Sequence, residues 1–157
     1  MMDAHGLRAA YDRFFEAASA AQACEVADTD GWTVAMVVAH IAVNDRLIAA
    51  HLRRAIDGQD TWYRNLDAYR ADDLRPIVDL LPDVSSQIDD ARATSAEVLE
   101  LAEELNDHQS ALAFRTTILD GDVVQVDGLL PLIGLLGAQA RVHLPAHAAQ
   151  IEVLNGA

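Results

Sequence analysis

Two histidines lie four residues apart near the end of the chain, in a pattern that could bind a metal ion. On a helical wheel, His143 and His147 fall inside an apolar stripe, so both imidazoles should point into a core. Side chains at this spacing lie on one helix face with Cβ atoms about 5–6 Å apart, close enough to reach one ion. A shared divalent metal would give a ring nitrogen of each buried imidazole a partner. The alternative is two core histidines hydrogen-bonded to the backbone or to Asn and Gln side chains.

Several other chemistries are excluded by residues that the chain lacks. Leu144 follows His143, so the glutamate of an HExxH zinc protease is missing. All eleven basic residues are arginines, which removes Schiff-base and lysine general-base mechanisms. Cys24 is the only cysteine, so neither an internal disulfide nor a multi-thiolate zinc site can form. We expect Cys24 to be a small buried residue.

A third ligand should come from another helix, and the second helical segment offers His40 and His51. These two histidines are eleven residues apart, about 16 Å along a helix axis, so they cannot share one ion. Asn44 and Asp45 follow His40 by about one turn. Either could hydrogen-bond to a ligand imidazole and fix its tautomer. Asp45 is the stronger candidate of the two because it falls within the apolar stripe. The alternative is that both are solvated polar residues.

A segment rich in arginine and aromatic residues could close over an anionic substrate through bidentate guanidinium contacts. The alternative is that its arginines pair with the abundant surface acids. The segment lies after the second helical segment and contains Trp62, Tyr63, Arg64, Arg70 and Arg75.

Four helical segments must position these residues. Apolar spacings of three and four, with start and stop signals, predict helices from Asp3 to about Gln22, Thr33 to Ile56, Pro82-Asp83 to Asn106-Asp107, and about Leu130 to Leu154. β-branched runs at Ala113–Leu119 and Val123–Val126, joined around Asp120-Gly121, predict a hairpin with a type I′ turn. The fold class is therefore all-α: a four-helix bundle with a long crossover over Gly58–Pro82 and a small β-hairpin before the last helix.

Pro145 lies between the two C-terminal histidines. It lacks an amide donor and displaces the carbonyl of Arg141, which predicts a kink there. A kink that leaves the helix convex to solvent would tip His143 and His147 toward the second helix. The alternative is a tolerated surface kink.

Charge and length limit the class of protein. A net charge of −14 repels nucleic acid and anionic membrane surfaces. The sequence shows no export leader and no membrane-spanning run, and its single cysteine fits a reducing compartment. We therefore expect one domain over residues 1–157, a cytoplasmic location and a possible homodimer, with no nucleic-acid or membrane partner.

Two motifs resemble those of a known family. The run Gly31-Trp32-Thr33 through Val37-Val38-Ala39-His40 resembles the GWT-x-x-x-V-V-x-H signature of the DinB/YfiT-like metalloenzymes. It is most similar to the mycothiol-dependent maleylpyruvate isomerase N-terminal group. His143-Leu-Pro-Ala-His147-Ala-Ala-Gln150-Ile151 resembles the HxxxHxxQI ending of the same superfamily. The position before Gly31 departs from the pattern, since it reads Asp28-Thr29-Asp30 and lacks Cys-Pro.

The resemblance implies that His40, His143 and His147 bind a divalent metal, with zinc the first choice and nickel, iron or copper also compatible with imidazole ligands. It further implies a thiol-dependent, mycothiol-type transferase or isomerase acting on a small electrophile. The sequence shows no counterpart of the extra domain of the isomerases after the fourth helix, so we do not expect that specific reaction. The alternative function is a non-catalytic metal-binding bundle that serves dimer assembly or partner binding. An open pocket beside the site favours the enzyme, whereas a sealed site favours the alternative.

Overall fold

The protein is mainly helical, with a small three-stranded sheet at one side. The structure, a computed structural model, describes residues 4–65, 71–81 and 83–156. In chain order its helices and strands are α1 (Ala4–Ala20), α2 (Val34–Ile56), β1 (Trp62–Arg64), α3 (Ala71–Val78), α4 (Val84–Glu104), α5 (Asp107–Ala111), β2 (Ala113–Asp120), β3 (Val123–Pro131), α6 (Leu132–Ala138), a π-helical segment (Gln139–His143) and α7 (Leu144–Gly156).

The core lies between the long helices. Helix α2 packs on α4, and α1 packs on both α4 and α7. Large side chains that are fully buried include Tyr11 and Phe14 from α1, Ile41 from α2 and Ile151 from α7. The first three predicted helical segments each correspond to one long helix, α1, α2 or α4, and their apolar stripes contribute to the core. The fourth corresponds to α6, the π-helical segment and α7, and its predicted start at Leu130 lies in β3 instead.

Local sequence signals explain where the second helix begins and ends. Thr33 is its N-cap, and the Thr33 hydroxyl accepts a hydrogen bond from the Met36 amide. Gly58, just beyond its end, has a positive φ of 70°, which glycine adopts readily. The predicted bounds of this helix, Thr33 to Ile56, are confirmed.

The third predicted helix corresponds to α4, and its last turn differs from the prediction. The Asp83 side chain caps its start by accepting from the Ser86 amide. Asn106 was expected to mark only a stop, but it forms a capping box with Gln109 and begins α5. The predicted starting residues Asp3 and Pro82 lie outside the described residues.

The fold is mainly helical as predicted, but the sheet differs from the predicted two-stranded hairpin in two respects, a third strand and the type of turn. Strand β1 lies within the predicted crossover and pairs parallel to β2, with Trp62 opposite Arg115. This pairing joins segments that are distant in sequence, so no local pattern indicates it.

The hairpin of β2 and β3 is present, but its central residues are Gly121 and Asp122, and only Gly121 has a positive φ. That arrangement is typical of a type II′ turn and not of the predicted type I′ turn.

The last helix of the bundle consists of α6, the π-helical segment and α7, so a change in helical hydrogen bonding lies directly before Pro145. The Leu144 amide donates to the Gln139 carbonyl, five residues back, immediately before the proline. Because Pro145 has no amide to donate, the helical ladder must change in this region. The deviation precedes the proline and includes Arg141, whose carbonyl was predicted to be displaced, and His143. The predicted kink itself stays a prediction.

Helix α2 meets the length and hydropathy expected of a membrane span. Its most apolar window is 72% buried inside the fold, however, and the core helix of a soluble protein passes the same test. No other helix in the described ranges qualifies.

Candidate metal centre

The structure brings the three predicted histidines together. His40 comes from the middle of α2, His143 ends the π-helical segment and His147 lies in α7. One ring nitrogen from each lies within 4.8 Å of the other two, which is close enough for the three to share an ion. The Nε2 atoms of His40 and His143 are 2.9 Å apart.

Burial keeps these imidazoles neutral at physiological pH. It lowers the pKa of His143 to about 3, with a smaller contribution from His147 nearby. Burial also lowers the pKa of His147 and, more strongly, that of His40, where the two other imidazoles add to the effect. Only neutral imidazole has a lone pair to offer a metal, so the ring nitrogens are ready to act as ligands.

Two glutamines fix the tautomers of the C-terminal pair. The Gln139 side-chain oxygen lies 2.8 Å from Nδ1 of His143, and the Gln150 oxygen lies 2.9 Å from Nδ1 of His147. An amide oxygen only accepts, so each Nδ1 carries the proton and each Nε2 keeps its lone pair. These bonds match the alternative of core histidines held by Gln, and they also prepare both rings as ligands.

Buried acidic and amide groups orient Gln139. Its amide nitrogen donates to Oδ1 of Asp45 over 3.0 Å, and the Tyr11 hydroxyl donates to the same oxygen over 2.8 Å. The Asn44 amide donates to the Gln139 oxygen over 3.2 Å, and the Tyr63 hydroxyl donates to Asn44. Asn44 and Asp45 thus reach the histidines through Gln139 and not directly.

Asp45 is fully buried, and burial raises its pKa to about 8. The hydrogen bonds from Tyr11 and Gln139 oppose this rise without cancelling it. Its second oxygen has no hydrogen-bond partner among the described residues. A carboxyl group in this setting keeps its proton at pH values well above those at which an aspartate ordinarily ionises.

Asp28 performs the corresponding role for Gln150. Its Oδ2 accepts from the Gln150 amide over 2.9 Å, and its Oδ1 accepts from the backbone amides of Asp30 and Trp32. Although partial burial opposes the shift, these hydrogen bonds lower the pKa of Asp28. The position at which the sequence departs from the family pattern therefore supports His147 through Gln150.

The three histidines border an open pocket of about 460 Å³. One wall is the β2–β3 hairpin, including Ile118 and Val126, and another is the last helix. Trp32 also lines it, with its ring centroid 5.5 Å from that of His40 and 6.4 Å from that of His147. The site is therefore not sealed by side chains on this side.

The other candidate residues lie elsewhere. His51 is buried against Thr61, with 3.0 Å between Nδ1 and the hydroxyl oxygen. Cys24 is half-buried, and its thiol donates to the Leu154 carbonyl, so it is less buried than expected. Of the arginine-rich segment, Tyr63 points inward and Arg75 is exposed, while Arg70 lies outside the described residues.

Gln139 is the residue that sequence reasoning missed. It precedes His143 by four positions, so the same helical spacing that paired the two histidines also placed an amide beside one of them.

Comparisons with known proteins identify the family and the fold. The sequence matches the DinB superfamily over residues 4–150. The fold is similar to the crystal structure of a mycothiol-dependent maleylpyruvate isomerase, with a TM-score of 0.73 and 16% sequence identity over 94% of this chain. The match covers 58% of the length of that isomerase chain, and at this identity it shows a shared fold. A search of curated proteins finds no match.

Proposed function

Because this chain belongs to the DinB superfamily, we propose that it is a metal-dependent enzyme that activates a small thiol for attack on an electrophile. The proposed ligands are His40, His143 and His147, and the proposed metal is zinc, with nickel, iron or copper as other candidates. We take the packing of α1, α2, α4 and the last helix as a DinB-type four-helix bundle.

The observation that carries the proposal is that three neutral imidazoles border an open pocket. Three protein ligands beside open space are typical of catalytic zinc sites, whereas structural sites are closed by a fourth protein ligand. A bound divalent ion would act as a Lewis acid and lower the pKa of a thiol or water placed beside it.

The chain's own residues support that chemistry. Gln139 and Gln150 hold the ring tautomers that direct lone pairs into the site. Trp32 packs beside His40 and His147 and gives the pocket an aromatic surface next to the proposed ion. Ile118, Val126 and Leu135 give the pocket an apolar side that suits the carbon skeleton of a small electrophile.

The proposal also names the kind of thiol that the protein uses. The structure with the similar fold is that of a mycothiol-dependent isomerase, which makes mycothiol the first thiol to test. Because this chain spans 58% of that protein, we extend only thiol use to it and leave the reaction open as a transfer or an isomerisation. A cytoplasmic location, where such thiols are abundant, fits the single cysteine.

The test is a panel of cellular thiols, mycothiol first, against quinone, epoxide, haloalkane and unsaturated-acid acceptors. Zinc-loaded wild type is compared with His40→Ala and with His108→Ala, which changes an exposed histidine. We expect wild type and His108→Ala to accelerate at least one reaction and His40→Ala to lose that acceleration. Equal rates for wild type and His40→Ala across the panel would overturn the proposal and favour a non-catalytic bundle.

A further inference from the structure

A second pocket, of about 600 Å³, lies between the C-terminal half of α2 and strands β1 and β2. It shares only Tyr63 with the pocket beside the histidines, judged from the lining residues that the structure describes. Its wall contains three arginines, Arg54, Arg64 and Arg115, and a single carboxylate, that of Asp60. This is a local concentration of positive charge in a chain of net charge −14 with eleven arginines.

These arginines are not neutralised by ion pairs within the described ranges. Arg46 and Arg53, also on α2, pair with Asp90 and Glu97. Arg54, in contrast, donates to the Asp60 backbone carbonyl over 2.9 Å. The guanidinium carbons of Arg64 and Arg115 lie 4.5 Å and 4.1 Å from the centroid of the Trp62 ring. Stacking of this kind holds a guanidinium in place and leaves its N–H groups for an acceptor.

His51 supplies an independent sign of a missing ligand. It lines this pocket, is only 3% exposed, and its Nε2 has no hydrogen-bond partner among the described residues. The Thr61 hydroxyl can donate to Nδ1 of His51, which leaves the proton on Nε2 for an acceptor. A buried polar atom without a partner is uncommon and calls for an explanation such as a bound group.

We propose that this pocket binds a small oxyanion, carboxylate or phosphate, through Arg54, Arg64 and Arg115, beside the buried imidazole of His51. Guanidinium groups match both anions because their N–H groups form paired hydrogen bonds to two oxygens. The exposed Trp62 ring, 43% accessible, provides an apolar surface beside the charge. This binding is independent of the thiol chemistry proposed for the histidine site.

The two tryptophans allow a direct test. In ¹H–¹⁵N spectra of the protein as purified, the two indole N–H signals are assigned with Trp62→Phe, and malonate, inorganic phosphate and neutral malonamide are titrated in turn. We expect saturable shifts of the Trp62 signal with malonate or phosphate, and little change with malonamide. The Trp32 signal should move little, because Trp32 lines the other pocket.

Variants then test the arginines. The double variant Arg64→Gln, Arg115→Gln loses charge-assisted hydrogen bonds to the anion. It should therefore bind the anion about tenfold more weakly, or weaker still. Arg54→Gln provides a second variant that leaves the Trp62 stacking intact, and Arg53→Gln on the same helix is the control that should bind like wild type. A response to one anion only would identify the ligand class. Equal binding of malonamide, no binding of either anion, or wild-type affinity in both arginine variants would overturn the proposal.

Discussion

The side-chain oxygen of Gln139 lies 2.8 Å from Nδ1 of His143, on the side of the ring away from the His40 contact. This bond keeps the proton on Nδ1 and the lone pair on Nε2. Removing such a bond behind a metal-bound histidine typically costs about 10–100-fold in metal affinity. We therefore expect Gln139→Leu to bind zinc about 10–100-fold more weakly than wild type, measured by competition with a chromophoric chelator.

Gln87→Leu is the matched control for this prediction. Gln87 is also a buried glutamine, but it lies on α4 and donates to the Val78 carbonyl. It should change stability without changing zinc affinity. If Gln139→Leu and wild type bind zinc equally well, Gln139 has no role in preparing His143.

Asp45→Asn should stabilise the protein progressively as the pH rises. The folded-state pKa of Asp45 is about 8, against an ordinary value of 3.8, so the folded state holds a proton that the unfolded state loses. In wild type this group therefore reduces the free energy of unfolding increasingly between about pH 4 and pH 8. Asparagine mimics the neutral carboxyl and lacks that penalty.

The measurement is the difference in unfolding free energy between Asp45→Asn and wild type, from urea titrations at several pH values. Taking the difference cancels the contribution of the buried histidines, which acts in the opposite direction at acid pH. The difference should grow from pH 4 to pH 8 and then level off. A difference that is constant over this range would show that Asp45 is ionised in the folded protein.

Removal of metal should lower the melting temperature and leave the fold in place. Apolar side chains of α1, α2, α4 and α7 pack on one another in a continuous core, so we expect the fold to persist without an ion. A ligand that binds only the folded state, at about 1,000 times its dissociation constant, adds about 4 kcal/mol. We expect a fall of several degrees on chelation, with the far-ultraviolet circular dichroism retained at 25 °C. Loss of that signal at 25 °C would make the metal structural.

Much of the helical fold follows from local signals in the sequence. Thr33 and Asp83 start their helices as side-chain caps, and apolar spacing assigns the buried faces. Strand β1 could not be predicted in the same way, since Trp62 pairs with a strand some fifty residues later. The π-helical segment also escaped prediction, because a wheel at about 100° per residue assumes one uniform helix.

The candidate site was likewise predictable from the sequence only in part. The spacing of His143 and His147 indicated a pair on one face, and the family motif supplied His40. What the sequence did not indicate is how Asp45 and Asp28 act, since each reaches a histidine through a glutamine. Such relays depend on side chains from different helices and loops meeting in space, and helical spacing carries no information about that.

Metal content tests whether His40, His143 and His147 bind one ion together. Protein purified without a histidine tag is analysed by plasma emission spectrometry as wild type, His143→Ala and His108→Ala, after matching their circular dichroism. We expect close to one divalent ion per chain in wild type and His108→Ala, and loss of that ion in His143→Ala, because two of three ligands bind far more weakly. An equal metal content in His143→Ala and wild type would contradict the assignment of the site.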